Sequence, residues 1–405
     1  MTRARPQTWH GGMVLLPEGP VRAHLVLRRG RIRKIVPGNR PAPVSRNEFG
    51  MAEFLVLPGL INAHDHLDFD CFPPCGPRRP YRNASQWYED VRSADYAATR
   101  RAVRLLPLKL RLLAGGFRNL LSGVTTAAHH NPPVRYLHRR RFPVHVPRGI
   151  GYCHSLATDP RPTDSLPRDR GRPWVIHAAE GPDRAAAAEV ARLQKLGCLR
   201  PGSALVHCLG IDPQIDRDIL SASGTAMIWC PGSNDFLYQA VAPVRQLLPQ
   251  TTVALGTDST ISGGGTMLDE LRAARKAEPG LSLRTLLEMA TTAGARLFQL
   301  APGRGEITAG SVADLVLFRL PADPGADPLL APFEASRPSL VVRDGIPLVG
   351  DASFHLLMEV LGLSPVEFEI DGAPMVMPRR LHQRFARVVK GTAGRPPFHD
   401  SVKLH

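Results

Sequence analysis

The stretch at residues 56–70, VLPGLINAHDHLDFD, constrains this chain more than any other. An apolar run from Phe54 to Leu57 meets Pro58-Gly59, then Leu60-Ile61-Asn62, then His64-Asp65-His66. A short apolar run bounded by turn residues predicts a fully buried strand. Residues two apart in a strand share a face, so His64 and His66 project together. Two imidazoles at one strand end make half of a metal site. Two unrelated loop histidines would give the same tripeptide, and the rest of the chain has to decide between the two readings.

A length of 405 residues suits one large barrel-type domain with a small satellite, or two or three ordinary domains. Hydrophobic content of 43% and charged content of 21% are those of a soluble globular protein. No apolar run approaches the roughly 18 residues that span a bilayer. The N-terminal residues lack an uninterrupted apolar core, so no signal peptide is expected. The 6 cysteines show no disulfide-scaffold rhythm, which suits a reduced compartment and predicts a cytoplasmic protein.

The net charge of +15 is dispersed along the chain rather than gathered in one basic stretch, and aromatics are only 6%. A nucleic-acid binder concentrates its cations on one face with aromatics between them, so that role is disfavoured. An acidic small partner is compatible with such a surface.

Residues 13–16, 23–27 and 31–36 read as short strands between turn signals, and so do 313–320 and 339–349. Two β-rich ends around a different middle predict a small β-sandwich closed by both termini. The implied division is 1–55, 56–305 and 306–405. In the middle, strands are expected at 125–129, 142–146, 149–156, 174–178, 203–208, 225–230 and 252–256. Helices are expected at 97–121, from 184 to 196, and at 214–221, 266–277 and 283–300. Alternating strands and helices imply a parallel sheet. The expected fold is therefore α/β, a (β/α)8 TIM-type barrel with that terminal sandwich.

The strands end in residues that can bind metal: His64-Asp65-His66, His129-His130, His177 with Glu180, His207, and Asp258. In a barrel, active residues gather at the C-terminal strand ends. Any one buried histidine is more often a satisfied core residue than a ligand, but the set together predicts a metal site.

These residues sit in pieces that resemble the amidohydrolase superfamily of metal-dependent hydrolases. The pieces are PGLINAHDHL at 58–67, GVTTAAHH at 123–130, VIHAAEG at 175–181, LVHCLGID at 205–212, CPGSN at 230–234, APVRQLL at 242–248 and VALGTDS at 253–259, followed by a C-terminal EMATTAGARLFQL. The chain looks most like the branch of methylthioadenosine/S-adenosylhomocysteine deaminases, cytosine deaminases and triazine chlorohydrolases. The resemblance implies one divalent metal, zinc first and iron as the alternative, held by His64, His66, His177 and Asp258. It implies Asp258 as proton acceptor from water, Glu180 as general acid/base, and His207 as the group that polarises the substrate. The implied activity is hydrolysis of a non-peptide C–N bond, above all deamination of a small nitrogen heterocycle. The alternatives are an amide, lactam or C–Cl hydrolase, or a catalytically inactive scaffold. A small-molecule substrate, no membrane and a homodimer complete the expected partners.

Three departures from the family pattern matter. Residues 131–173 contain no lysine to bridge two metals, which favours a mononuclear site. The same region is short for two strand–helix units, so the third or fourth should be trimmed or joined through the Pro-Arg-Gly turn. Trp87 partly matches the segment that binds ribose in the adenosyl-type deaminases, but no matching glutamate accompanies it. His154 and His129 are further candidates for substrate contact, and His130 and Asn131 read as substrate contacts or a turn cap. Cys71 and Cys75 read as incidental, Asp68 and Asp70 as solvated loop acids, and Met227 and Trp229 as core.

Overall fold

The computed structural model describes residues 6–39, 48–76, 79–301, 303–392, 395–398 and 402–404. Both termini feed one 11-stranded sheet. Gln7–Leu16 pairs antiparallel with Gly19–Arg28 and parallel with Phe54–Pro58, which in turn pairs antiparallel with Leu315–Arg319. The alternating inward residues of these strands, such as Val14, Leu25, Val56, Leu315 and Leu340, pack in one apolar cluster. Phe54–Pro58, which carries the apolar run before the HxH motif, thus belongs to the terminal sheet. Gly59 separates it from the first barrel strand, Leu60–Asp65.

The barrel strands run parallel. Leu60–Asp65 pairs with Val124–His129. A second ladder runs Gly151–Ser155, Trp174–Ala178, Ser203–His207, Ala226–Trp229, Val253–Leu255. The last strand returns to the first through the amides of Thr257 and Asp258, both donating to the His64 carbonyl at 3.0 Å. Gly256 permits that approach, since a Cβ there would lie 2.7 Å from the Cβ of His64. The architecture is a TIM-type barrel joined to the terminal sheet.

The third unit is reduced. His145 forms a single parallel bridge with Thr126, and no helix separates it from Gly151–Ser155. A full parallel crossover needs a dozen or more residues, and four lie between Val146 and Gly151. Expected strand 142–146 therefore shrinks to one bridge. The C-terminal helix Arg379–Gly391 packs beside this region against Leu108–Leu121, with the Phe117 and Phe385 rings 5.1 Å apart. Arg343 donates to the carbonyls of Phe142 at 2.6 Å and Pro143 at 2.7 Å, and Arg384 donates to that of Arg141.

The expected helix at 97–121 breaks into Ala97–Arg104 and Leu108–Leu121, because Pro107 cannot continue the first helix and instead precedes the second. The one expected at 283–300 likewise divides into Leu283–Met289 and Thr292–Leu297. No helix among the described residues is long and apolar enough to cross a membrane.

Candidate active site

Strand alternation places His64 and, just past the strand end, His66 on one face, and His177 within Trp174–Ala178 and Asp258 after Val253–Leu255 complete a cluster at the strand ends. His177 Nε2 lies 3.1 Å from His64 Nε2 and 3.4 Å from His66 Nε2. Asp258 Oδ1 lies 3.6 Å from His64 Nε2 and 3.5 Å from His66 Nε2. Ligands about 2.0–2.1 Å from a tetrahedral zinc sit roughly 3.3 Å from one another. The observed spacings suit such an ion.

Burial lowers the pKa of His64, and pushes those of His66 and His177 well below the usual imidazole range. Burial thus keeps these imidazoles in the neutral form that ligation of a cation requires. Two of the outer nitrogens are anchored elsewhere: His177 Nδ1 donates to the His154 carbonyl at 2.6 Å, and His66 Nδ1 to Asn131 Oδ1 at 3.2 Å, while His64 Nδ1 is buried without a partner among the described residues. Such anchors fix tautomer and ring plane in metal-binding histidines. The donor set fits a divalent metal.

Asp258 divides its two oxygens. Ser262 and Ser233 donate to Oδ2 at 2.6 Å and 3.0 Å, leaving Oδ1 toward the imidazoles. Burial works against ionisation, yet the facing His64, His66 and His207 hold this carboxyl well below its usual range. Ala179, His207, Cys208 and Asp258 all have positive φ, between 50 and 72°. Such strained backbone collects at functional sites.

Glu180 sits beside this group, with its Oε1 3.7 Å from His207 Nε2 and accepting a 2.7 Å hydrogen bond from the Tyr238 hydroxyl. Burial raises its pKa, Asp258 adding to the rise while His207 and Tyr238 oppose it. Glu180 Oε2 is buried without a partner among the described residues, and so is His207 Nε2. His207 is oriented from behind, its Nδ1 2.8 Å from Asn234 Oδ1. One carboxyl oxygen is thus clamped and the other is free to exchange a proton.

The three candidate substrate contacts separate. The His154 ring lies 4.9 Å from that of His177 and belongs to the cluster. His129 points to the other side of its strand, with Nε2 3.9 Å from Asp68, and burial lowers its pKa to about 4. Its neighbour His130 instead packs its ring 4.8 Å from His64 and 4.7 Å from His177. Trp87 is a brace, its indole donating to the Cys75 carbonyl at 3.1 Å. The next residue, Tyr88, faces the cluster, its ring 5.6 Å from that of His154. Tyr238 and Tyr88 carried no sequence signal beyond lying in segments around other motifs.

Asp70 is not a solvated loop acid. It is fully buried and accepts from Arg118 Nη1 at 2.9 Å, while Arg118 Nη2 donates to the carbonyls of Gly264 and Gly265. Asp68 is also buried, accepting from Asn131 Nδ2 at 2.8 Å. Cys71 and Cys75 are free, and burial pushes their thiols to about 12 and about 11. Met227 and Trp229 are fully buried, as core residues should be.

Behind the site, buried Glu270 accepts from the amides of Gly232 at 2.8 Å and Gly265 at 3.3 Å. Burial pushes its carboxyl up to about 8. A raised acid pKa gives stability that is full below the ordinary carboxylate range and is lost as pH rises through the folded value. Glu270→Gln keeps one acceptor without the charge. Its Tm relative to the parent should therefore climb as pH goes from about 5 to about 9. A pH-independent difference in thermal melts would show that Glu270 does not titrate there.

The amidohydrolase family model matches residues 166–347. A 5-methylthioadenosine/S-adenosylhomocysteine deaminase of Nitratidesulfovibrio vulgaris is 26% identical over 370 residues, covering 76% of this chain and 81% of the relative. The chain is similar to the amidohydrolase family over that span and to these deaminases over most of its length. Another enzyme of that name, from Syntrophobacter fumaroxidans, is 32% identical over 167 residues, a match spanning only 38% of the relative's length. Among solved structures, an atrazine chlorohydrolase from Arthrobacter aurescens, complexed with zinc and atraton, superposes with a TM-score of 0.68 at 20% identity. That match covers 88% of this chain and 99% of the other. At that identity the likeness speaks for the fold alone.

Proposed function

We propose that this protein is an amidohydrolase that hydrolyses a C–N bond of a small nitrogen heterocycle, releasing ammonia. The observation that carries the reading is the meeting of three imidazole nitrogens and Asp258 Oδ1 beside a buried carboxyl, Glu180, with one free oxygen. His64, His66, His177 and Asp258 would hold one divalent ion, zinc in the first place. When bound, such an ion supplies Lewis-acid activation of water near neutral pH. Asp258 Oδ1 accepts a proton from that water while Ser233 and Ser262 hold Oδ2 still. Glu180 delivers a proton to the ring nitrogen, which makes the attacked carbon electrophilic and later helps ammonia leave. His207, steadied by Asn234, stabilises charge that develops on the substrate.

The deaminase names of the relatives support ammonia as the leaving group. The chlorohydrolase neighbour supports a second reading, in which the same residues displace chloride. Zinc-loaded protein should release ammonia, measured by a coupled glutamate dehydrogenase assay, from at least one of a panel of aminopurines, aminopyrimidines and aminotriazines. Chloride release from a chlorotriazine without any ammonia would favour the second reading, and neither product would overturn both. The six buried free cysteines agree with a cytoplasmic setting.

A further inference from the structure

One of the 4 indole N–H groups is unlike the others. Trp9 donates to Gln7 Oε1 at 3.4 Å, Trp87 to the Cys75 carbonyl at 3.1 Å, and Trp174 to Ser165 Oγ at 2.8 Å. Trp229 Nε1 is buried and has no hydrogen-bond partner among the described residues. Indole N–H groups usually find a partner when buried. A donor left unpaired bears the full cost of its lost hydration, and an acceptor brought to it by a ligand recovers that cost.

The same indole forms a wall of a cavity of about 270 Å³ between the helices Pro231–Tyr238 and Met267–Ala277. Strand alternation puts it there: Ile228 packs in one cluster with Val175, Val206 and Ala254 of the neighbouring strands, and Trp229 faces the opposite side, toward the helices. Pro231, Val241 and Ala273 make the other walls apolar. Asp235 and Lys276, one on each helix and both exposed, set opposite charges at the rim, which favours a neutral occupant. The volume falls below the roughly 300–1,000 Å³ of drug-sized sites, yet about 150 Å³ already admits a benzene ring.

The helix Pro231–Tyr238 joins this cavity to the cluster. It carries Ser233, which donates to Asp258 Oδ2, Asn234, which holds His207 Nδ1, and Tyr238, which donates to Glu180. The Gly232 amide ties it to Glu270 of the helix Met267–Ala277 at 2.8 Å. A molecule seated between the two helices therefore bears on three contacts that orient the cluster. We propose that the cavity is a second ligand site, for a neutral one-ring molecule that offers a hydrogen-bond acceptor to Trp229, and that filling it tightens metal binding at the cluster. The second half rests on the reading of the cluster as a metal site, and the first does not.

The test reads the indole N–H directly, by NMR of the whole chain with isotope-labelled tryptophan, and Trp229→Phe identifies the signal that matters. Acetophenone should move that signal. It should also bind about fivefold tighter than ethylbenzene, which has the same ring and reach but no acceptor, a difference typical of one hydrogen bond. Trp229→Phe should erase the preference. Ala273→Leu, which fills the cavity and leaves the indole in place, should abolish binding of both probes. Saturating acetophenone should lower the parent's Kd for zinc about fivefold, at the low end of coupling between linked sites, and leave that of Ala273→Leu unchanged. A Trp229 signal that acetophenone does not move, equal affinities for the two probes, or binding that survives Ala273→Leu would overturn the site. A zinc Kd indifferent to acetophenone would overturn its link to the cluster. A moved Trp229 signal in a protein that takes up no zinc would instead sink the metal reading and leave the site standing.

Discussion

Glu180→Gln should retain the metal and the fold while kcat drops by about three orders of magnitude, within the 10²–10⁴ that a positioned acid/base contributes. The amide is isosteric, and its oxygen can still accept from Tyr238, so the pocket keeps its shape. It cannot carry a proton to the substrate. Because Glu180 touches no ligand nitrogen, metal content by elemental analysis should match the parent, and so should the Tm. A drop in metal content would mean that Glu180 supports the cluster rather than the chemistry. A rate within a few-fold of the parent would remove it from the reaction altogether. The comparison needs a substrate found by the ammonia panel, and the metal readout can be made without one.

What the sequence made legible follows from short-range geometry. The alternation of a strand is enough to pair His64 with His66, and the offset from His177 is enough to single out Glu180. The same alternation cuts the other way at His129-His130, where adjacent residues face opposite sides and sequence cannot say which side is inward. The structure turns His130 to the imidazoles and His129 to Asp68. Asp70 was misread for a different reason: a carboxylate in a loop looks solvated until its partner is known. Arg118 lies 48 residues away on a helix whose packing no local pattern encodes. Tyr88 and Tyr238 reach the site only through tertiary placement of their helices. The apolar run before Gly59 was read correctly as a buried strand, but its partner sheet is chosen by Leu315–Arg319 from the far end of the chain. Pro107 was visible, and its power to divide a helix outweighed the continuous apolar pattern around it.

Removing the metal should cost more than activity. In the apo protein, imidazole nitrogens at 3.1 and 3.4 Å aim at one another across a buried space, and burial resists protonating them. They hydrogen-bond poorly or repel, and the strand ends they come from lose their common anchor. A ligand that binds only the folded state adds about 4 kcal/mol of stability when present at roughly a thousandfold above its Kd. For a chain of this size that predicts a fall in Tm of roughly 5 °C on dialysis against dipicolinate. Zinc should restore it. His177→Ala takes away the nitrogen nearest to both of the others, so its melting temperature should be low from the start and indifferent to added zinc. Asp258→Asn, which keeps the serine hydrogen bonds to Oδ2 but loses the negative charge, should bind zinc more weakly and need higher concentrations for the same rise. If chelation leaves the parent's melt unchanged, the imidazoles are not gathered by a cation, and their close approach needs a different account, with protons shared between rings in place of a metal.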